Sequence, residues 1–297
     1  MLHGIITAII TPFREGNIDW SALEKIINYQ SDAGIHALVV AGSTGEGLLL
    51  TEEQKISVIQ NSLKFAKGRL KIIASTGSPS TQDAVTLSQK AQDLGVDGIL
   101  VISPWYVKPN QESLYQHFKT IHDATSVPMI VYNHPGRCIV DISYSTAARL
   151  SELAHLSGFK DSSTDVARLQ NIKSIANPKL KFFSGDDPTA PGYLALGGDG
   201  IICVGSNVAP REYITLYDAW AQRDLKKFTQ MRDLLSPLAI ATNLETNPAP
   251  IKYAASLLGL CQNEWILPYV DLQESTKTAI RKALELLALK PVSQKVA

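Results

Sequence analysis

Short apolar runs and longer amphipathic runs alternate eight times along this chain, and that alternation limits the fold more than any other feature. The short runs fall at 5–10, 36–42, 71–75, 98–103, 127–133, 158–161, 181–185 and 200–205. They are rich in Ile, Val and Leu without strict alternation, the pattern of strands buried on both faces. Segments 20–33, 52–67, 81–94, 112–124 and 145–153 carry apolar residues at three- and four-residue spacing, as amphipathic helices do. Thr51 and Gln54 form a capping-box pair, and Gly34, Gly68 and Gly95 stand where helices should end. Eight successive βα units predict an α/β fold, a (β/α)8 TIM barrel with a closed parallel sheet. An open doubly wound sheet is the alternative.

The pattern changes after the eighth run. From residue 224 the chain holds helical runs and no convincing strand, with Asn247-Pro-Ala-Pro250 as a rigid joint. We therefore expect a catalytic barrel over 1–223 and a small C-terminal helical extension over 224–297, packed on the barrel. A polar tail closes the chain at 291–297. A chain of 297 residues buries roughly three quarters of its unfolded surface, so it needs no metal or disulfide for stability.

Lys plus Arg equals Asp plus Glu at 28 each, which gives no electrostatic reason to expect nucleic acid or an anionic membrane as partner. Cys138, Cys203 and Cys261 are odd in number and unpatterned, and read as reduced thiols. The N-terminal apolar run has no basic flank and contains a Thr-Pro break, so it reads as a strand and not as a signal peptide. No run reaches the roughly 18 apolar residues of a membrane helix. A cytoplasmic location is expected. The six histidines are scattered without metal-ligand spacing, and no metal is expected.

In such a barrel, chemistry belongs at the C-terminal ends of the strands. Those ends carry Gly42-Ser43-Thr44-Gly45-Glu46-Gly47, Pro104-Trp105-Tyr106, Tyr132-Asn133-His134-Pro135-Gly136-Arg137, Lys160-Asp161 and Ser184-Gly185-Asp186-Asp187. Lys160 has two readings. Turned into the barrel, its amine loses hydration, its pKa falls, and it can attack a carbonyl. Turned to the rim, it pairs with Asp161. The Gly42–Gly47 loop reads either as an amide nest for a small carboxylate or as an ordinary tight turn. Tyr106 and Tyr132 either pass protons through a hydroxyl or pack under loops. Arg137 is either a carboxylate fork or a solvated surface group.

Taken together, these motifs resemble the dihydrodipicolinate synthase / N-acetylneuraminate lyase family. The resemblance runs from Thr11-Pro12-Phe13 to Asn247-Pro-Ala-Pro-Ile-Lys252. It implies that Lys160 forms a Schiff base with pyruvate and that Tyr132, Ser43 and Tyr106 relay protons. It implies that Thr44 and Ser43 amides hold the pyruvate carboxylate and that Gly185 and the backbone of Ile202 line the pocket. It implies no cofactor. In the family, the tyrosine matching Tyr106 reaches across from a neighbouring subunit, so a homo-oligomer, typically a tetramer, is implied.

Within the family, Arg137 favours the synthase branch, where the arginine of a Tyr-Asn-x-Pro-x-Arg run holds the carboxylate of aspartate semialdehyde. Synthases usually carry Thr-Thr where this chain has Ser43-Thr44, and serine keeps the hydroxyl. The competing assignment is a neuraminate lyase or a keto-sugar-acid aldolase or dehydratase; a non-catalytic pyruvate-binding regulator is the alternative from another class. At the positions that bind feedback lysine, this chain carries Pro79, Asp83, Trp105 and Lys55. Proline cannot make the contacts of an asparagine amide, and Lys55 sets a cation beside a cationic ligand. Weak or absent inhibition by lysine is expected.

Overall fold

The structure is a computed structural model that describes residues 3–292. Eight parallel strands close into a barrel: β1 Gly4–Ala8, β2 Ala37–Val40, β3 Lys71–Ser75, β4 Gly98–Ile102, β5 Met129–Asn133, β6 Leu156–Asp161, β7 Lys181–Ser184 and β8 Gly200–Cys203. Closure is explicit, because β1 pairs with both β2 (Ile6 against Ala37) and β8 (Ile6 against Ile202). The open-sheet alternative is thereby excluded. Several strands stop short of the apolar runs that announce them. Residues 9–10, for instance, are buried but lie beyond β1, where Ile10 N donates to the side chain of Asn207. Apolar character marks burial, whereas a strand also needs ladder partners.

The helices follow their sequence signals closely. Trp20–Asp32 is capped by Asp19, whose carboxylate accepts from Ala22 N at 3.0 Å. Glu52–Ala66 has the full capping box, Thr51 Oγ1 accepting from Gln54 N and Gln54 Oε1 accepting from Thr51 N. Thr81–Asp93, Gln111–Asp123 and Tyr144–Leu150 begin at Ser80, Asn110 and Ser143, each bonded to the amide three residues on. Gly34, Gly68 and Gly95 all adopt positive φ just past helix ends. The sequence gives no sign of a two-residue hairpin, Phe13–Arg14 against Asn17–Ile18, that follows Pro12.

After Pro210–Ala221, the C-terminal segment forms helices Leu225–Ala241, Ala249–Leu257 and Glu274–Leu286. They share one continuous apolar core with the barrel, including Leu238, Ile251 and Ile280. The polar tail falls outside the described residues from 293 onward.

One charged contact ties this segment to the β2 loop. Lys252 Nζ reaches Glu46 Oε1 at 2.5 Å, with both side chains fully buried. Glu46 Oε2 also accepts from Ile266 N at 2.7 Å, and the Lys252 amine lies over the Phe13 ring. Buried charges persist only when paired and hydrogen-bonded, and removing one partner leaves the other stranded. The loop itself is compact: a Cβ at Gly47 would stand 1.8 Å from Ala41 O, so only glycine fits there.

Lys252→Met should therefore destabilise the fold by about 3–5 kcal/mol in urea unfolding. Adding Glu46→Gln should restore much of that loss. A double variant no more stable than the single one would show that the stranded carboxylate is not the cause.

Candidate active site

At the C-terminal mouth of the barrel lies a cavity of about 620 Å³. Its wall includes Gly42, Ser43, Thr44, Tyr132, His134, Arg137, Lys160, Ser162, Gly185 and Asp187 from the barrel, and residues 243–247 from the extension.

Lys160 is turned inward. It sits on β6 between Tyr132 of β5 and Phe183 of β7 and is 6% exposed. Its amine lies 4.0 Å from the centroid of the Tyr132 ring. The rim pairing with Asp161 does not form, because Asp161 is bound elsewhere. Arg168 Nε donates to Asp161 Oδ2 at 3.0 Å, and Ser163 N donates to Oδ1 at 2.8 Å. Asn133 Nδ2 and Arg168 Nη1 bind Asp141 at 2.8 Å each, which locks the ends of β5 and β6 together.

Burial pushes the Lys160 amine down to about 8, with Asp187 and Cys203 opposing that shift and Arg137 assisting it. About a tenth of the amine is then neutral at pH 7, against well under a thousandth for a solvated lysine. Burial acts in the opposite sense on Tyr132 and pushes its phenol up to about 12. The neighbours are thus driven apart: one amine ready to lose its proton, one phenol ready to keep it.

The hydroxyl in contact with Tyr132 is Ser162, which the sequence reading missed. Ser162 Oγ lies 3.2 Å from Tyr132 Oη and 2.8 Å from Gly185 O. Gly185 is glycine for steric reasons, since a Cβ there would stand 2.1 Å from Ser162 Oγ and 2.6 Å from Lys160 Cε. Asp187 is buried and accepts from Val204 N, Gly205 N and Tyr213 Oη, which fixes its carboxylate beside the cavity.

Ser43 and Thr44 line the cavity wall, and their amides donate to no acceptor among the described residues. The amides of Glu46 and Gly47, by contrast, close the turn onto Ser43 O and Gly42 O. Two free amides at a cavity wall suit an anion. Thr44 is buried, and its Oγ1 accepts from Asn247 Nδ2 at 3.0 Å. Arg137 lies within the short helical turn Pro135–Cys138, and its Nη2 donates to Asn247 O at 3.2 Å. The extension therefore supplies a wall to which both Thr44 and Arg137 are bonded.

Two expected site residues stand apart. Ile202 is fully buried within β8 and does not line the cavity; Val204, just beyond the strand, does. Tyr106 is 88% exposed, with φ of +70°, and does not line the cavity of its own chain. No hydrogen bond joins Ser43 to Tyr132 among the described residues, so the three-hydroxyl relay is not assembled within one chain. An aromatic residue held at positive φ stores backbone strain, and such strain concentrates where a side chain must be presented. Val107, the next residue, is exposed as well.

Comparison with known proteins places the chain in a family. The model of the dihydrodipicolinate synthetase family matches residues 1–287. The chain belongs to that family. A relative named 4-hydroxy-tetrahydrodipicolinate synthase, from Rhodospirillum centenum, is 44% identical, covering 96% of this chain and 98% of its own. A dihydrodipicolinate synthase from Acinetobacter baumannii, solved with pyruvate, superposes with a TM-score of 0.94 at 37% identity, over 97% of this chain and all of that one. A monomeric dihydrodipicolinate synthase variant superposes equally well at 36% identity, with 97% of each chain covered. In this member of the dihydrodipicolinate synthetase family, Lys55 is half-buried, its amine pKa lowered by burial, in a small recess with Ser43, Ser75 and Ile102.

Labelling with an amine-reactive reagent across a pH series should find Lys160 reacting with a midpoint near 8 once access is corrected for. A freely solvated lysine amine in a model peptide titrates at about 10.4. A Lys160 midpoint above 10 would contradict the burial argument.

Proposed function

We propose that this chain condenses pyruvate with L-aspartate 4-semialdehyde to give 4-hydroxy-tetrahydrodipicolinate, as a lyase of lysine and diaminopimelate biosynthesis. The observation that carries this is the buried, partly neutral amine of Lys160 beneath Tyr132, in a cavity with an arginine at its mouth. The names of the relatives agree with it.

The amine attacks C2 of pyruvate, whose carboxylate rests on the Ser43 and Thr44 amides. Loss of water leaves an imine, and Gly185 leaves room for the lysine stem. The imine draws electrons from the methyl group, which gives up a proton towards Tyr132 and becomes an enamine. That carbon attacks the aldehyde of the second substrate, forming the carbon–carbon bond, and the aldehyde oxygen takes up a proton. Arg137 holds the second substrate's carboxylate. Its amino group then attacks C2 and displaces Lys160, which releases the ring. Ser43 and Tyr106 complete the proton path, with Tyr106 delivered from a neighbouring copy of the chain. Its exposed, strained presentation next to the exposed Val107 supports that route. The working form is then a homo-oligomer, a tetramer built from dimers. No cofactor enters these steps. The barrel over 1–223 carries the reacting groups and the extension over 224–297 carries the outer wall. No helix among the described residues is long and apolar enough to cross a membrane, which accords with a cytoplasmic enzyme.

Borohydride reduction with pyruvate present should leave one modified peptide, containing Lys160, and Lys160→Ala should abolish it. A modification mapped to any other lysine would overturn the mechanism. Arg137→Ala should raise KM for aspartate semialdehyde at least tenfold while leaving KM for pyruvate within about twofold.

A further inference from the structure

His134 lies three residues before Arg137 in the turn that follows β5, and both line the cavity. None of the steps above uses it. Its two ring nitrogens have different surroundings. Nδ1 is buried and has no hydrogen-bond partner among the described residues, while the backbone carbonyl of His134 itself acts on the ring in small part. Nδ1 is the ring nitrogen nearer the backbone, so we assign the imidazole proton to it. Nε2 then carries the lone pair. No described residue hydrogen-bonds to Nε2, and it is not among the buried unpartnered atoms, so it is open to the cavity.

The ring is also held uncharged. Burial lowers its pKa to about 4, with Arg137 and then Lys160 contributing in the same direction. A neutral imidazole with its proton on Nδ1 offers one acceptor at Nε2 and nothing else. Beside a guanidinium, that makes a pair of groups suited to a carboxylate and an N–H donor on the same carbon.

Resting on the pyruvate-condensing reading above, we propose that His134 Nε2 accepts a hydrogen bond from the α-amino group of the second substrate while Arg137 holds its carboxylate. His134 is thereby a specificity-determining residue for amino-bearing aldehydes. The chemistry of ring closure favours this arrangement. The amine must attack C2 as a neutral nucleophile, and the cationic surroundings of Arg137 and Lys160 favour its uncharged form. An amine held through one N–H keeps its own lone pair for the attack. An aldehyde without the amino group makes no use of Nε2.

Two variants and two ligands test this. His134→Leu removes the acceptor and keeps an apolar side chain; His134→Gln keeps an acceptor oxygen. The ligands are aspartate semialdehyde and the same four-carbon semialdehyde acid without its amino group, used as a competitive inhibitor. His134→Leu should raise KM for the amino-bearing aldehyde about tenfold and leave the inhibition constant of the other within about twofold. His134→Gln should recover a large part of the loss. Borohydride trapping of pyruvate at Lys160 should stay at wild-type yield in both, which also reports that they fold. Equal shifts for the two ligands, or none for either, would overturn the role of His134 alone. Failure of the wild-type chain to trap pyruvate would instead bring down the parent reading and this inference with it.

Discussion

Closure of the sheet is the constraint from which the rest follows. Because β1 bonds to β2 on one side and β8 on the other, no barrel strand has a free edge. The interior becomes a packed stack of side chains, and polar groups are displaced to the two mouths. Lys160 shows what this does. On an open sheet its amine would find water at an edge or a crevice; between Tyr132 and Phe183 of a closed ring it is desolvated. The lowered pKa is thus a property of the architecture more than of any one neighbour, and the charged groups nearby only trim it.

The polar groups around the site divide into those that fix positions and those that remain available. Asp161, Arg168, Asn133 and Asp141 bind one another and hold the ends of β5 and β6. Asp187 is saturated by two amides and a phenol. By contrast, the Ser43 and Thr44 amides and both ring nitrogens of His134 have no bond to any other described residue. Buried polar groups are nearly always paired within a protein. Those left open along a cavity wall mark where a bound molecule completes the set.

The sequence carried the barrel because strands buried on both faces are apolar throughout and helix ends are written in caps and glycines. The same two-sided burial hid which side chains point inward. In β8, Ile201 and Ile202 are equally apolar and equally buried, so nothing marked Ile202 as lying off the cavity. Lys160 was legible as an unusual residue, but its direction was not, since that depended on Arg168 claiming Asp161. Ser162 passed as one more small polar residue after a strand. The Glu46–Lys252 pair and the Thr44–Asn247 contact join positions about 200 residues apart, and no local pattern carries such a signal. Tyr106 was legible as a motif residue, yet it is exposed and lies off the cavity of its own chain.

The link between Glu46 and Lys252 also bears on how the molecule is made. Synthesis proceeds from the N-terminus, so the β2 loop leaves the ribosome some two hundred residues before its counter-ion. Until then the carboxylate must stay hydrated, and the loop cannot settle into its dry seat. The unbonded amides of Ser43 and Thr44 sit on that same loop. A nascent chain that has already exposed Lys160 therefore still lacks a finished cavity wall until Lys252 has emerged as well.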